Sequence, residues 1–273
     1  ELGWDMIEFE AANNTQIEQG MRKVADRGAN LVIAMGFAQA DAVAAVAPQY
    51  PDVNFVAVDV CWVDDPAGNI YQACYKEHEG SFLVGMIAAM ASKSGKIGFV
   101  GGMDIPLIRK FQGGYEQGAL YVNPNIEIHA NMTGTTPEAW NNPTKGAELT
   151  KAQIDKGADV VYQAAGGTGI GVLQAAADAG IMGIGVDTNQ NYMHPGNMLT
   201  SMLKRLDLTI FEQAEKTAAG TFEPGIHILG LAEGAVGYAT EDGMVTDEMA
   251  AAVEAAAAEI VSGAMSVADW SQE

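Results

Sequence analysis

The sequence predicts an α/β protein with two doubly wound lobes, each built on a parallel sheet. Near-continuous apolar runs alternate with helix-like stretches along the 273 residues, a pattern typical of parallel sheets that are covered by helices on both faces. One αβαβ unit also occurs twice. Apolar residues make up 48% of the chain, so a substantial core is available and a disordered protein is excluded.

The repeat aligns residues 29–59 with residues 158–187. Each copy has a β-branched apolar run, a glycine-containing turn, an Ala-rich helical stretch, a second apolar run and a final aspartate, which is Asp59 or Asp187. Two similar halves imply two lobes. Ligands of such sheets bind outside the carboxyl ends of the strands, so we expect a ligand where these runs end.

The second copy is preceded by two further strands, and the first copy is not. The apolar runs 96–102 and 126–134 are predicted strands with a helix between them. In the first copy only the counterpart of the later strand remains, at Trp4–Ala12. The repeat therefore predicts that about one strand and one helix, of ordinary lengths, are missing ahead of this segment.

The order of the remaining segments predicts how the chain passes between the lobes. A late strand of the first lobe, a buried helix, a helix returning to the first lobe, a closing strand pair and a C-terminal helix are predicted at 69–75, 82–91, 208–220, 227–239 and 249–263. The predicted N-terminal lobe is 1–76 with 204–222, the C-terminal lobe is 77–203 with 223–245, and residues 246–273 form a terminal helix and tail. Several crossings between lobes form a hinge, which predicts closure over a ligand.

Charge and composition restrict the partners. A net charge of −21 argues against nucleic acid or an anionic membrane, because phosphates would be repelled. No apolar run approaches the roughly 20 residues that span a bilayer. The chain opens on Glu-Leu-Gly-Trp-Asp rather than on a secretory leader, so we expect a cytoplasmic protein or the mature form of an exported one.

The two cysteines, Cys61 and Cys74, are expected to be buried thiols. A disulfide between them is the alternative in an oxidising compartment. The four histidines are scattered and no Cys/His cluster has metal-ligand spacing, so no metal site is predicted.

A glycine-rich turn, AAGGTGIGV, joins a predicted strand to a predicted helix at Ala164–Val172. Its G-x-G-x-G spacing nearly matches the dinucleotide fingerprint, and Asp187 lies 20 residues beyond Gly167, where an acid would bind a ribose. The other interpretations are a tight turn for close packing and a helix N-terminus whose N–H groups contact a ligand oxygen. An NAD-dependent or nucleoside-processing α/β enzyme is therefore one hypothesis, although no G-x-S-x-G nucleophile motif occurs.

Five side chains near predicted strand ends are candidate ligand contacts. Asp41 is either a carboxylate for ligand N–H groups or a charge that complements a helix dipole. Asp187 suits vicinal hydroxyls or caps a helix, and Lys204 pairs with it, donates to a ligand oxygen or is an ordinary surface lysine. Trp140, in a polar loop, is a stacking platform or a loop anchor. Phe37 is its analogue in the first lobe or lines the cleft wall.

The segments GKIGFVGGMDIP, AAGGTGIGV, GVDTNQ and TSMLKRLD, in this order and spacing, resemble the basic membrane protein family. These are extracytoplasmic solute-binding proteins of ABC transporters, similar to purine nucleoside receptor lipoproteins. The resemblance covers the chain from Glu1 to about Ala239. It implies a type I periplasmic-binding-protein fold with three crossovers, a purine nucleoside (guanosine, inosine or adenosine) held between the lobes, no catalysis and no cofactor.

The resemblance also implies partners and a location. The partners are a membrane permease and its ATPase. The location is the periplasm or the outer face of the cytoplasmic membrane, with membrane association only through a lipid anchor that this sequence lacks. A ligand-sensing regulator of similar fold would need a helix-turn-helix, and the segments predict none.

Base contacts follow from the resemblance at two positions. Asp41 matches an acid that binds the purine edge. Trp140 matches an aromatic residue that stacks on the base, with Trp where the family has Phe. The family's further aromatic on the other side of the base belongs to the missing first strand and loop.

The resemblance implies ribose contacts at four further positions. The backbone of Gly166 and Gly167 would contact the ribose. The Asp187 carboxylate would accept hydrogen bonds from its hydroxyls, and Lys204 would assist on the same side.

Overall fold

A computed structural model describes residues 3–11 and 14–272. The contacts divide the chain into two compact units, here called the first unit and the second unit: Glu1–Tyr75 with Leu206–Leu229, and Lys76–Arg205 with Gly230–Glu273. The chain passes from one unit to the other three times. Two α/β units with three crossovers confirm the predicted fold class.

Strands and helices alternate along the described residues. The strands are β1 Leu31–Ala34, β2 Asn54–Val58, β3 Ile70–Tyr75, β4 Lys96–Met103, β5 Glu127–Gly134, β6 Val160–Ala164, β7 Met182–Gly185, β8 Met198–Lys204, β9 Gly225–Leu229 and β10 Val236–Tyr238. The α-helices are α1 Asn14–Asp26, α2 Ala40–Val46, α3 Glu77–Ala91, α4 Pro106–Val122, α5 Pro143–Asp155, α6 Thr168–Asp178, α7 Leu206–Ala219 and α8 Asp247–Ser262.

The first unit has a parallel sheet in the order β1-β2-β3-β9. Its core lies between this sheet and α2, where Val43, Val46, Phe55 and Ile70 are fully buried. The apolar runs that predicted strands are continuous because β2 and β3 are covered on both faces.

The second unit has a sheet in the order β10-β8-β7-β6-β4-β5, parallel except for β10. Helices α3 and α4 pack closely because glycines face each other's backbone. A Cβ added at Gly85 would collide with the carbonyl of Tyr115, and one at Gly118 would collide with that of Phe82. Only glycine permits this approach. The α3–α4 pair covers one face of the second sheet. The candidate site lies at the strand ends of the same sheet.

The internal repeat is confirmed by the order of elements. The segment β1-α2-β2 matches β6-α6-β7. The two final aspartates also share a conformation, since Asp59 has φ 61° and Asp187 has φ 66°. Positive φ is uncommon outside glycine and is most tolerated by Asn and Asp, so the repeat preserves a specific turn after the strand.

The predicted strand Trp4–Ala12 is wrong over residues 4–11, which form no regular secondary structure; Ala12 lies outside the described residues. In the second sheet, the counterpart strand β5 pairs with β4 and with no other strand. Among the described residues, the first sheet has no strand beside the outer edge of β1. Without such a neighbour the segment has no ladder of hydrogen bonds to join, and Trp4 and Phe9 are exposed.

The predicted closing strand pair at 227–239 is also wrong. Strand β9 pairs in parallel with β3 in the first sheet, whereas β10 pairs antiparallel with β8 in the second. The chain crosses between units after Leu229, so two runs that are close in sequence join different sheets.

Helix α8 belongs to the second unit. It ends as predicted at Gly263, which has φ 77°. Its buried residues Val253, Ala256 and Ile260 form one apolar face, and α8 packs against α3.

The expectation of two free thiols is wrong, because Cys61 and Cys74 form a disulfide. The loop after β2 returns beside β3, which brings the two Cα atoms to 5.8 Å, within the usual range for a disulfide. Over residues 3–11 and 14–272, no helix combines the length and apolar character required to span a membrane.

Candidate functional site

The glycine-rich turn lies between β6 and α6. Gly166 has φ 56° and is exposed, and Gly167 is the residue before the first turn of α6. The amides of the next three residues already donate to carbonyls one turn back. The amides of Gly166 and Gly167 are therefore the donors at the open end of this helix, where a ligand oxygen is favoured.

Trp140 ends a short 3₁₀ turn, Pro137–Trp140, and is partly buried. Its six-membered ring packs against Gly102 in β4, where an added Cβ would collide with it. A Cβ on Gly166 would lie 3.5 Å from Cε3 of the same ring. Trp140 therefore lies on the ends of β4 and β6, as a loop anchor would, and the residue remains partly exposed.

The buried Thr168 side chain fixes the Trp140 loop to α6. Its hydroxyl donates to the carbonyl of Ala139 at 2.7 Å and accepts from the amide of Asn142 at 2.7 Å. These two residues flank Trp140 on either side, so one hydroxyl ties the loop to the first turn of the helix. Thr168 was missed at the sequence level. The one feature of the sequence that could have indicated Thr168 is its position, as a polar residue directly after the glycine pair at the start of an otherwise apolar helix.

We expect Thr168→Val to loosen the Trp140 loop. The substitution keeps the volume and removes both hydrogen bonds, which should cost about 1–3 kcal/mol. The Ala139 carbonyl still accepts from the Thr133 hydroxyl at 3.0 Å, so the Asn142 amide is the group that loses its partner. Urea unfolding should show this loss of stability, and calorimetry should show weaker binding of whichever nucleoside the wild type binds.

Thr150→Val is the matched control. Thr150 is equally buried, but its hydroxyl donates only within its own helix, to Gly146 at 2.9 Å. This variant should keep the wild-type affinity. Equal affinities for Thr168→Val and the wild type would show that Thr168 does not position Trp140.

Asp187 and Lys204 meet at the ends of β7 and β8. Asp187 is exposed, and its carbonyl accepts the amide of Lys204 at 2.8 Å. Lys204 is only 5% exposed, so its interpretation as an ordinary surface lysine is wrong. Its Nζ lies 3.0 Å from Oε1 of Glu77 and 5.9 Å from the centre of the Phe111 ring.

Glu77 is the first residue of α3, and its side chain is 1% exposed. Lys110 lies 3.5 Å from its second oxygen and 3.7 Å from Asp269. Negative and positive side chains therefore alternate in one row, in the order Asp269, Lys110, Glu77 and Lys204. The sequence does not distinguish Glu77 from any other acid in a first helical turn.

A buried polar network supports the loop that follows Asp187. The side-chain oxygen of Gln190 accepts from the amide of Val186 at 3.0 Å and from Gln163 at 2.9 Å. The amide of Gln190 donates to Ser201 at 3.0 Å. Gln163 and Ser201 are fully buried, so the loop is held from the strands beneath it. Gln190 was noted from the sequence as a possible ligand contact beside Asp187, whereas Gln163 and Ser201 were not identified.

Phe37 and Asp41 belong to the first unit, after β1. Phe37 is partly buried in a 3₁₀ turn that follows Gly36, which has φ 92°. Asp41 is exposed in the first turn of α2. There its charge complements the helix dipole, and its exposure leaves the carboxylate accessible to a ligand. Across the described part of the chain, no group of three His, Cys, Asp or Glu could hold a metal ion.

Family membership follows from a match over almost the whole sequence. The family model of PnrA-like ABC transporter substrate-binding proteins, named Bmp, matches residues 3–271. The chain belongs to this family. The resemblance inferred from the four motifs is thereby confirmed, and the Bmp family is one of solute-binding proteins rather than of enzymes.

Two Bmp relatives illustrate the similarity. The chain is 32% identical to basic membrane protein A2 of Borrelia garinii, over 94% of this chain and 76% of that protein. It is 31% identical to the ABC transporter nucleoside-binding protein BmpA of Lactococcus lactis, over 95% of this chain and 77% of that protein.

Solved structures confirm the type I periplasmic-binding fold of this Bmp protein. An ABC transporter solute-binding protein from Aeropyrum pernix aligns with a TM-score of 0.83 at 24% identity, covering 95% of this chain and 82% of that one. One from Conexibacter woesei aligns with a TM-score of 0.77 at 25% identity, covering 97% and 88%.

Proposed function

We propose that this chain is the extracytoplasmic receptor of an ABC importer, that it binds a purine nucleoside, and that it delivers the nucleoside to a permease and ATPase. One observation carries the proposal. Trp140, the Gly166-Gly167 turn and Asp187 lie at the carboxyl ends of β4, β6 and β7, which are consecutive strands of one sheet. Ligands of open α/β sheets bind at that edge.

The chemistry of these groups matches the parts of a nucleoside. An indole face suits a flat base. The exposed Asp187 carboxylate suits vicinal ribose hydroxyls, since hydrogen bonds to an ionised acceptor are the stronger ones. The open amides of Gly166 and Gly167 suit a ribose oxygen. Lys204 would act on the ribose side from its place beside Asp187.

We assign Phe37 and Asp41, at the strand ends of the first unit, as further ligand contacts. A guanine edge presents two adjacent N–H donors, which an exposed carboxylate such as Asp41 can accept. A nucleotide is disfavoured because its phosphates would be repelled by a chain of net charge −21.

Isothermal calorimetry tests this function. The protein is unfolded and refolded to remove any co-purified ligand, then titrated with guanosine, inosine, adenosine and cytidine, with ribose and NAD as controls. We expect one-to-one binding of a purine nucleoside and weak or no binding of the controls. Chromatography of the mixture should recover the nucleoside unchanged.

Two outcomes would contradict the proposal. A folded protein that binds none of the four nucleosides would exclude a nucleoside receptor. Binding of NAD, or conversion of the nucleoside to free base, would support the alternative of an NAD-dependent or nucleoside-processing enzyme.

A further inference from the structure

Trp62 is an exposed aromatic residue in a tightly held loop. Its relative exposure is 62%, although it lies only four residues after the end of β2. Large apolar side chains of folded proteins are usually covered. A tryptophan that remains exposed on a mobile terminus needs no explanation, but one that is exposed on a constrained loop does.

Both neighbours of Trp62 are fixed to β3. Cys61, before it, is bonded to Cys74. Val63, after it, is held by the buried side chain of Gln72, which accepts from the Val63 amide at 2.9 Å and donates to the Val63 carbonyl at 2.8 Å. The backbone on each side of the indole is therefore anchored to the same strand.

The rest of this loop is also constrained. The Asp65 carboxylate accepts the amides of Asn69 and Ile70 at 3.1 and 2.9 Å. The loop thus holds Trp62 in a fixed backbone conformation with its side chain in solvent. Such preorganisation reduces the entropy lost when a ligand covers the ring.

The position of Trp62 relates it to the proposed ligand contacts of its own unit. Strands β1 and β2 are parallel neighbours, with Ala34 beside Ala57, so the segments that follow them leave the same edge of the sheet. Phe37 follows β1 and Trp62 follows β2. By the internal repeat, Asp59 corresponds to Asp187, and Trp62 lies three residues beyond Asp59.

We propose that Trp62 is a further nucleoside contact, whose indole stacks on the purine base and is held ready for it by the Cys61–Cys74 disulfide and the Gln72 side chain. This inference rests on the proposed nucleoside function. It assigns a specificity for a base, because free ribose offers no flat aromatic surface to an indole.

Calorimetry on Trp62→Ala and Trp62→Phe tests the inference. Loss of one base–aromatic stack should weaken binding of the nucleoside by about 5- to 100-fold, and phenylalanine should restore most of the affinity. The urea midpoint should stay at the wild-type value because the side chain is exposed. Trp4→Ala is the matched control, since Trp4 is an exposed tryptophan of the same unit outside any strand or helix.

Reduction of the disulfide gives an independent readout. If the Cys61–Cys74 bond preorganises Trp62, a reductant should lower the nucleoside affinity of the wild type. The same reductant should change the affinity of Trp62→Ala very little, because the indole is already absent. A merely structural disulfide would weaken both equally.

The outcomes separate this inference from the proposed function. A wild type that binds a nucleoside, with Trp62→Ala binding equally well, overturns the role of Trp62 and leaves the receptor function intact. A wild type that binds no nucleoside overturns both. Selective loss in Trp62→Ala, with Trp4→Ala unchanged, supports the assignment.

Discussion

Replacing Glu77 by alanine should lower the free energy of unfolding of the second unit by about 3–5 kcal/mol. The side chains of Glu77 and Lys204 are 1% and 4% exposed, with 3.0 Å between their charged atoms. Removing the carboxylate breaks a buried ion pair, and breaking such a pair by removing one partner is strongly destabilising. Urea unfolding followed by circular dichroism measures the change.

Glu127→Ala is the control for Glu77→Ala. Glu127 lies 2.9 Å from Lys96 in the same unit, but the two side chains are 52% and 38% exposed. Exposed pairs contribute little because water solvates both charges, so this variant should unfold near the wild-type midpoint. Glu77→Gln, which keeps the shape, separates charge from packing. A wild-type midpoint for Glu77→Ala would show that the buried pair does not stabilise the unit.

Replacing Asp187 by asparagine should weaken nucleoside binding by about 10- to 100-fold, the loss expected when charge-assisted hydrogen bonds to ribose hydroxyls become neutral or are broken. Asparagine tolerates the left-handed conformation found at this position, φ 66°, so the backbone should stay in place. Binding of the free purine base, which lacks ribose, should be unchanged. Calorimetry with the nucleoside and its free base gives both values.

Asp242→Asn is the matched control. Asp242 is an exposed aspartate of the same unit with φ 56°. It precedes a residue pair at the start of β8, where the Met244 amide donates to the Leu199 carbonyl at 2.8 Å, whereas Asp187 follows the end of β7. Substitution of Asp242 should leave both affinities unchanged. If Asp187→Asn weakened the free base and the nucleoside equally, the carboxylate would not be a ribose contact.

The candidate site was predictable where a single residue follows a recognisable strand. Asp187, Trp140 and the Gly166-Gly167 turn were all identified because buried strands are apolar and their carboxyl ends meet at one edge. Lys204 was identified as well, but its burial beside Glu77 was not. That pairing joins residues more than a hundred positions apart, and no local pattern encodes it.

The supporting residues were not predictable for the same reason. Thr168 matters because Ala139 and Asn142 come within hydrogen-bond distance of its hydroxyl, and Gln163 because its side-chain amide donates to Gln190. A buried polar side chain in the sequence looks like any other until its partners are known.

The sequence by itself determined the alternation of strands and helices, the internal repeat, the family motifs and the strand-end positions of the candidate ligand contacts. These are local properties, since apolar periodicity and glycine turns act within one segment. The tertiary structure alone decided that β9 and β10 join different sheets, that residues 4–11 form no strand, that Cys61 bonds Cys74 and that Trp62 is exposed between two anchored neighbours. Each of these depends on which distant segment lies alongside, because hydrogen bonds and disulfides require a partner at a fixed distance.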